Sequence, residues 1–196
     1  MSGLLKEQSV LQDEADRLVA LLGLENLLAR IGEPVRVGSS AMGVMVRRDI
    51  DITIISPKLT TDLLQAFAQI GAQLMTQDLH VRAVRFRNDA GRWNTEPEAY
   101  SDGYYLGLSV RAPDGQDWTF DIWAIDQPER QPDLRHLRTL LPRLTDRHRE
   151  TILTIKRDLA QAPKSADGPQ SAHVYEAVLD HDVSTMLELN AWFARR

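Results

Sequence analysis

The chain has no cysteine among its 196 residues. This absence excludes a disulfide framework, a catalytic thiolate and a zinc site built from cysteine ligands. Basic side chains are also in the minority, with 23 Lys and Arg against 28 Asp and Glu and a formal net charge of -5. Such a balance disfavours broad binding to duplex nucleic acid, which depends on neutralising phosphates with basic side chains. We therefore expect a partner that is a small molecule or a protein.

Long hydrophobic runs are missing as well. No segment approaches the roughly 20 apolar residues that a helix needs to cross a bilayer. The opening segment carries Lys6, Glu7 and Asp13, so it lacks the unbroken apolar stretch of a secretory signal. These features predict a cytoplasmic protein without a membrane partner.

The composition that is present is ordinary for a globular protein. Hydrophobic residues make up 43% of the chain and charged residues 26%. The length is sufficient for one substantial core, or for one core with a helical appendage.

Hydrophobic periodicity predicts an α+β fold, with a mixed β-sheet flanked by helices and a helical C-terminal region. We expect strands at residues 34–37, 49–55, 80–87, 104–111 and 117–125, the last two forming a hairpin. We expect helices at residues 4–31 with a break near Gly23, shortly after Ser39, at 61–74, 134–141, 145–159, 173–179 and 185–193. Residues 88–102 and 162–169 are expected to be loops. The domain boundary is placed after residue 127, which divides the chain into residues 1–127 and a helical region 128–196.

Two carboxylates follow a turn of small residues. The turn is Gly38-Ser39-Ser40, and the acids are Asp49 and Asp51 of the strand predicted next. Side chains alternate along a strand, so Asp49 and Asp51 lie on one face while the isoleucines between and after them enter the core. Two like charges on one face are unfavourable unless a cation or a shared proton compensates. The pattern indicates a phosphate-binding turn beside a divalent metal site.

A third carboxylate, Asp121, lies inside the apolar run Trp118-Thr119-Phe120-Asp121-Ile122-Trp123. A neighbouring strand could bring Asp121 beside the first two acids. Oxygen ligands of this kind suit Mg²⁺, which keeps coordination positions for water and phosphate oxygens. Shared acids can hold two such ions roughly 3.5–4 Å apart, an arrangement suited to in-line displacement at phosphorus.

The three pieces, in this order, form a recognisable pattern. Val37-Gly38-Ser39, Asp49-Ile50-Asp51-Ile52 and Phe120-Asp121-Ile122 resemble the motifs of the nucleotidyltransferase superfamily related to DNA polymerase beta. The resemblance extends over residues 35–125, and it is strongest to the small stand-alone members of the superfamily. The combined spacing carries the resemblance, because a lone Gly-Ser or a lone Asp-x-Asp is a weak signal.

The resemblance implies a catalytic domain that transfers a nucleoside monophosphate from an NTP, for example ATP, to an acceptor hydroxyl and releases pyrophosphate. Mg²⁺ or Mn²⁺ would be the cofactor. Asp49 and Asp51 would hold both metal ions, and Asp121 would complete the site next to the acceptor and receive its proton. The acceptor is expected to be a small molecule or a protein.

The nucleotide is expected to bind near the turn. Backbone N–H groups at Gly38 and Ser39 would hold the leaving phosphates, with help from the hydroxyls of Ser39 and Ser40. Lys156 lies in a predicted helix where related enzymes place a basic residue facing the triphosphate.

Simpler interpretations remain open at several positions. Ser39 or Ser40 could cap an ordinary helix, and Asp49 and Asp51 could form a solvated strand face. Lys156 and its neighbour Arg157 could lie on a solvated helix face.

The roles of two neighbouring basic residues also stay open, and so do two other functions for the protein. Arg47 and Arg48 could contact phosphates or simply edge the sheet. At the level of function, the rivals are a nucleotide-binding or partner-binding module without turnover and a metal-dependent phosphohydrolase.

Overall fold

The computed structural model describes residues 2–162 and 168–196. Its centre is a five-stranded sheet with the strand order β1-β2-β5-β4-β3. β2 and β5 run parallel, and the other neighbouring strands are antiparallel. The strands are β1 Glu33–Val37, β2 Asp49–Ile55, β3 Val81–Asp89, β4 Gly103–Arg111 and β5 Asp117–Ile125.

Helices surround the sheet and make up most of the C-terminal third. They are α1 Gly3–Leu21, α2 Leu24–Leu28, α3 Gly38–Met42, α4 Thr61–Met75, α5 Pro132–Thr139, α6 Asp146–Gln161, α7 Ser171–Asp180 and α8 Met186–Phe193. None of the described helices combines the length and the apolar character that a bilayer crossing requires. The predicted α+β architecture, a mixed sheet with flanking helices and a helical C-terminal region, is confirmed.

The alternation of residue types in β2 decides how the sheet is covered. Ile50, Ile52 and Ile54 are buried against α1, α2 and α4, while Asp49 and Asp51 alternate onto the opposite face. β2 lies inside the sheet, so both of its edges are hydrogen-bonded. The acidic face is therefore fixed in register with the neighbouring strands.

Local signals at the helix ends explain most boundaries. Gly23 adopts φ 63°, a left-handed conformation that ends α1 before α2 begins, so the predicted break is confirmed. Thr185 and Glu188 form a reciprocal capping box at the start of α8. In this box Glu188 N donates to Thr185 Oγ1 at 3.2 Å and Thr185 N donates to Glu188 Oε2 at 3.1 Å.

Two hydrophobic clusters account for most of the core. One lies between the sheet and α1, α2 and α4. The other joins the C-terminal helices to Leu5 of α1, to Met42 of α3 and to Val44 just after α3. Because N-terminal residues complete the second cluster, the helical region shares a core with the part that precedes it, and the division after residue 127 stays a prediction.

The structure differs from the expected elements mainly between residues 81 and 102. β3 continues to Asp89, and a short 3₁₀ helix, Gly91–Trp93, interrupts the expected loop. β4 begins at Gly103, opposite the end of β3 at Asp89, so the longer strand is stabilised by pairing that local sequence does not reveal. The loop expected at residues 162–169 lies mostly outside the described residues.

Candidate active site

The three predicted carboxylates come together on one face of the sheet. Parallel pairing of β2 with β5 places Asp51 directly opposite Asp121, and Asp49 lies one step away on the same face of β2. One carboxylate oxygen from each of the three lies within 4.8 Å of the others. The expected meeting of Asp121 with the first pair is confirmed, and the cause is the register of two strands that are far apart in sequence.

Burial and neighbouring negative charges disfavour ionisation of Asp49 and Asp51. The pKa of Asp51 is raised to about 8, first by burial and then by the charges of Asp49, Asp133 and Asp121. Burial also raises the pKa of Asp49, although the Thr119 hydroxyl, which donates to Asp49 Oδ1 at 2.7 Å, works in the opposite direction. The interpretation as a freely solvated strand face does not fit this degree of burial.

The donor set fits a divalent cation with a preference for oxygen ligands. Asp49, Asp51 and Asp121 supply only carboxylate oxygens, and the chain has no cysteine that could compete for a softer metal. A divalent cation among the three carboxylates would offset the repulsion between them. The residues present therefore fit Mg²⁺ or Mn²⁺.

Gly38 begins the turn that faces this cluster. Its φ of 64° is in the left-handed region, where side chains other than glycine are strained. A Cβ atom at this position would overlap Asp51 Oδ2 and lie 2.9 Å from Asp51 Cγ. Glycine is therefore required on two grounds, and it lets the backbone of the turn pass directly against a carboxylate of the site.

The two serines after Gly38 have different positions. Ser39 lines the cleft beside Asp49 and Asp51. Ser40 is 3% exposed, and its hydroxyl donates to the Val37 carbonyl at 3.3 Å, so its side chain stabilises the turn from inside. The N-cap of α3 is Val37 and makes no side-chain cap hydrogen bond, so neither serine has the capping role that was left open. The structure brings Ser39 to the cleft and directs the Ser40 hydroxyl away from it.

Lys156 reaches the cleft from α6. It is 7% exposed, and its ammonium group donates to the Val44 carbonyl at 2.9 Å and to the Tyr175 hydroxyl at 3.2 Å. Burial lowers its pKa to about 8, and the attraction of the nearby Asp51 carboxylate opposes this shift. Arg157, the next residue, pairs with Glu7 at the surface. Of the two basic candidates on α6, the structure brings only Lys156 to the carboxylates.

The two arginines before β2 lie in different surroundings. Arg47 lines the cleft with the acids. Arg48 is held on the other side by Glu14, at 3.5 Å, and its guanidinium lies 6.0 Å from the centre of the Trp118 ring. Arg47 is thus the one placed for contact with a bound anion, and Arg48 edges the sheet.

The cleft itself, which we call the carboxylate cleft, has a volume of about 680 Å³ and lies between the sheet and the C-terminal helices. Three ionisable residues of its lining were not predicted from the sequence: Asp133, His136 and Tyr175. Burial raises the pKa of Asp133 and lowers that of His136, and His136 Nδ1 lies 3.9 Å from Asp133 Oδ1. The spacing of one helical turn between Asp133 and His136 is the only local signal that could have indicated this pair.

A tyrosine completes the surroundings of the third carboxylate. The Tyr105 hydroxyl donates to Asp121 Oδ1, and the Tyr105 ring lies 5.1 Å from the ring of Trp123. Trp123 is only partly buried, because it lies on the same face of β5 as Asp121.

Comparisons with known proteins identify the fold. No protein-family model matches the chain, and no curated protein matches its sequence. The structure of Cid1 in complex with the UTP analogue UMPNPP is similar with a TM-score of 0.56 and 16% identity, over 85% of this chain and 48% of that chain. Cid1 poly(U) polymerase with MgGTP bound gives a TM-score of 0.56 and 14% identity, over 87% of this chain and 50% of that chain.

A further structure, Cid1 in complex with its short product ApU, gives a TM-score of 0.52 and 15% identity over 90% of this chain and 53% of that chain. This chain thus spans about half the length of the structures it matches. At such identity the likeness shows the fold alone, and that fold is the nucleotidyltransferase fold.

Proposed function

We propose that this protein is a metal-dependent nucleotidyltransferase, which moves a nucleoside monophosphate from an NTP to an acceptor hydroxyl and releases pyrophosphate. The observation that carries the proposal is the meeting of Asp49, Asp51 and Asp121 against the Gly38 turn, with oxygens within 4.8 Å of one another. The nucleotidyltransferase fold supports the proposal, because this likeness of structure does not depend on the chemistry of the three carboxylates.

Each residue has a role in this proposal. Asp49 and Asp51 would hold Mg²⁺ or Mn²⁺, which supplies Lewis-acid stabilisation of charge on the transferring phosphoryl group. Asp121 lies on the acceptor side and accepts the proton of the attacking hydroxyl. Ser39 and the amides of the turn orient the leaving phosphates, and Lys156 stabilises their charge from the opposite wall.

The two rival functions use the same carboxylates differently. A binding module would take the NTP and release it unchanged. A phosphohydrolase would direct water to the phosphorus in place of an acceptor. The Gly38-Ser39 turn ahead of the acids belongs to the nucleotidyltransferase pattern, so it makes the phosphohydrolase the weaker rival.

The acceptor of our proposal is a small molecule or a protein, in line with the net charge of -5. A nucleotide-type acceptor is a second candidate, because Cid1 binds its short product ApU on a similar fold. Duplex nucleic acid is not expected to bind tightly, since the chain has more acidic than basic side chains.

The direct test is incubation with each α-labelled NTP and Mg²⁺ or Mn²⁺, with a panel of small-molecule, protein and single-stranded oligonucleotide acceptors. The proposal expects transfer of label to at least one acceptor with one pyrophosphate released per transfer. Metal-dependent NTP binding without any transfer would favour the binding module. Release of phosphate or pyrophosphate that no acceptor increases would favour the phosphohydrolase.

Substitution of Lys156 provides a prediction with a control one residue away. Lys156→Ala is expected to raise the KM for NTP about tenfold or more, because a charge-assisted contact to phosphate is lost. Arg157→Ala is the matched control, since this side chain pairs with Glu7 away from the cleft, and it should leave the KM unchanged.

Steady-state kinetics of both variants test the assignment, with circular dichroism to verify the fold of Lys156→Ala. Equal effects of the two substitutions would contradict the placement of Lys156 at the triphosphate.

A further inference from the structure

A second cavity of about 690 Å³ lies beside the carboxylate cleft, and we call it the aromatic cavity. Three aromatic side chains line it: Trp93, Tyr100 and Trp123. Trp93 is 56% exposed and Tyr100 is 49% exposed, although large aromatic surfaces are normally buried. Exposed rings that converge on one cavity indicate a surface for a planar, partly apolar ligand.

The segment that carries Trp93 and Tyr100 has a defined shape. The Asp102 carboxylate accepts hydrogen bonds from Gly91 N at 2.8 Å and from Asn94 Nδ2 at 3.0 Å. Asn94 Nδ2 also donates to the Tyr100 carbonyl at 3.2 Å. These bonds tie both ends of the segment together, so the backbone that carries the two rings has a fixed course before any ligand binds.

Polar groups are present on the wall of the same cavity. The side chain of Gln131, 5% exposed, lies on the same wall, together with Asn88. The combination of stacking faces with side-chain amides suits the faces and the edge of a heteroaromatic base.

The aromatic cavity connects to the acceptor side of the proposed reaction. Trp123 and Asp121 are two residues apart on one face of β5, which is a separation of about 7 Å along a strand. Tyr105 contacts both residues, through its ring and through its hydroxyl. Asp133 lines both cavities. A group bound in the aromatic cavity is therefore about one nucleoside away from the third carboxylate.

Charges near the cavity distinguish among planar ligands. Arg87 lies across from Tyr105 in the sheet, and its guanidinium is 5.3 Å from the centre of the Trp123 ring. Asp89 neutralises Arg87 at 2.7 Å, and Glu96 adds a further acid to the lining. The lining therefore has no excess of positive charge, so its contribution to binding comes from stacking and hydrogen bonds rather than from phosphate neutralisation.

We propose that the aromatic cavity binds the nucleobase of the acceptor, stacked between Trp93, Tyr100 and Trp123, with the acceptor's hydroxyl directed to Asp121. This inference rests on the proposed transferase function and selects the second of its two candidate acceptors, a nucleoside-type molecule. Stacking on aromatic side chains is tolerant of base identity, so the cavity selects for the presence of a base more than for one base.

The test compares two acceptors that differ in one group. A short single-stranded RNA with a complete 3′-terminal nucleotide is compared with the same strand carrying an abasic 3′-terminal ribose. The inference expects the wild-type KM for acceptor to be about tenfold or more higher for the abasic strand. In Trp93→Ala the difference should shrink, because the complete strand loses its stacking partner while the abasic strand has none to lose.

Three controls make the comparison specific. Trp93→Phe keeps an aromatic face and should restore most of the discrimination. Leu79→Ala removes an apolar side chain that is 84% exposed and lies outside both cavities, and it should change nothing. The KM for NTP should stay constant in all variants. Adenosine is also tried as an acceptor, to distinguish a free nucleoside from the 3′ end of an RNA strand. Equal transfer to adenosine and to the strand would show that a free nucleoside is sufficient as the acceptor.

The outcomes separate this inference from the proposed function. Transfer to the abasic strand as efficient as transfer to the complete one, and unchanged in Trp93→Ala, would overturn the base-binding role while the transferase function stands. If no acceptor is labelled, tryptophan fluorescence tests whether the aromatic cavity binds a base. For this measurement the protein is saturated with a non-transferable NTP analogue and titrated with adenosine. Quenching present in wild type and lost in Trp93→Ala would support the cavity as a base site without turnover, and no quenching in wild type would overturn it.

Discussion

Asp51→Asn is expected to abolish metal-dependent binding of NTP and nucleotidyl transfer. Asp51 neighbours Asp49 on β2 and lies opposite Asp121 on β5, and it is more buried than Asp49, so it is the central ligand of the proposed site. Asparagine keeps the shape of the side chain beside Gly38 but removes the negative charge that a divalent cation requires. The expected loss of transfer is at least about 10³-fold, since both the metal and the positioning of the triphosphate depend on this residue.

The same substitution is expected to stabilise the metal-free protein. Because the pKa of Asp51 is raised to about 8, the folded state retains a proton that the unfolded chain releases above about pH 4. Stability from this group is complete below the unfolded pKa and is lost as the pH rises to about 8. Asparagine has no proton to lose, so without metal at pH 8 the Tm of the variant should be higher by roughly 5–10 °C.

Calorimetric titration with Mg²⁺-NTP and thermal melts between pH 5 and pH 8.5 measure both effects. Asp78→Asn is the control, since Asp78 is exposed in the turn after α4 and should change neither binding nor the pH dependence. Added Mg²⁺ and NTP should stabilise the wild type and not Asp51→Asn. Unchanged affinity of the variant for Mg²⁺-NTP would contradict the metal assignment.

Local patterns in the sequence were sufficient to predict most of the helices and strands and the acidic face of β2. The alternation of Asp49 and Asp51 with isoleucines determines which face is buried, whatever the neighbouring strands are. The end of β3 was placed too early, because the strand extends only through its pairing with β4. Pairing of distant segments decides such boundaries, and local propensity does not contain that information.

Some residues of the candidate site can likewise be placed from local sequence, and others depend on tertiary packing. Helical periodicity distinguishes Lys156 from Arg157, since Lys156 follows Ile152 by four residues and shares its buried face. Asp133 and Tyr175 could not be placed in this way. Their approach to Asp51 depends on how α5 and α7 pack over the sheet. Leu134 of α5 packs against Val37 and Ile125, and α7 belongs to the second hydrophobic cluster, so tertiary contacts decide both positions. The aromatic cavity likewise depends on tertiary contacts, because Trp93 and Trp123 come from different elements.

The second large effect is expected at Asp121, and it separates an enzyme from a binding module. Asp121→Ala should leave the affinity for NTP within a few fold, because Asp49, Asp51, Ser39 and Lys156 remain at the donor nucleotide. Transfer should fall by about 10²-fold or more, the range expected when a general base or a charge-stabilising group is removed. A module that only binds nucleotide has no chemical step for this substitution to slow.

Two further variants show which property of Asp121 matters. Asp121→Asn can still accept the hydrogen bond from Tyr105 but cannot receive a proton, so it should lose transfer nearly as completely as the alanine variant. Asp117→Ala is the control on the same strand and face, where the carboxylate pairs with Arg111 at the surface, and it should be fully active. Single-turnover rates with saturating NTP measure the chemical step directly. An Asp121→Ala variant as fast as wild type would show that this acid only supports the sheet, and the third carboxylate of the reaction would then have to be sought in Asp133.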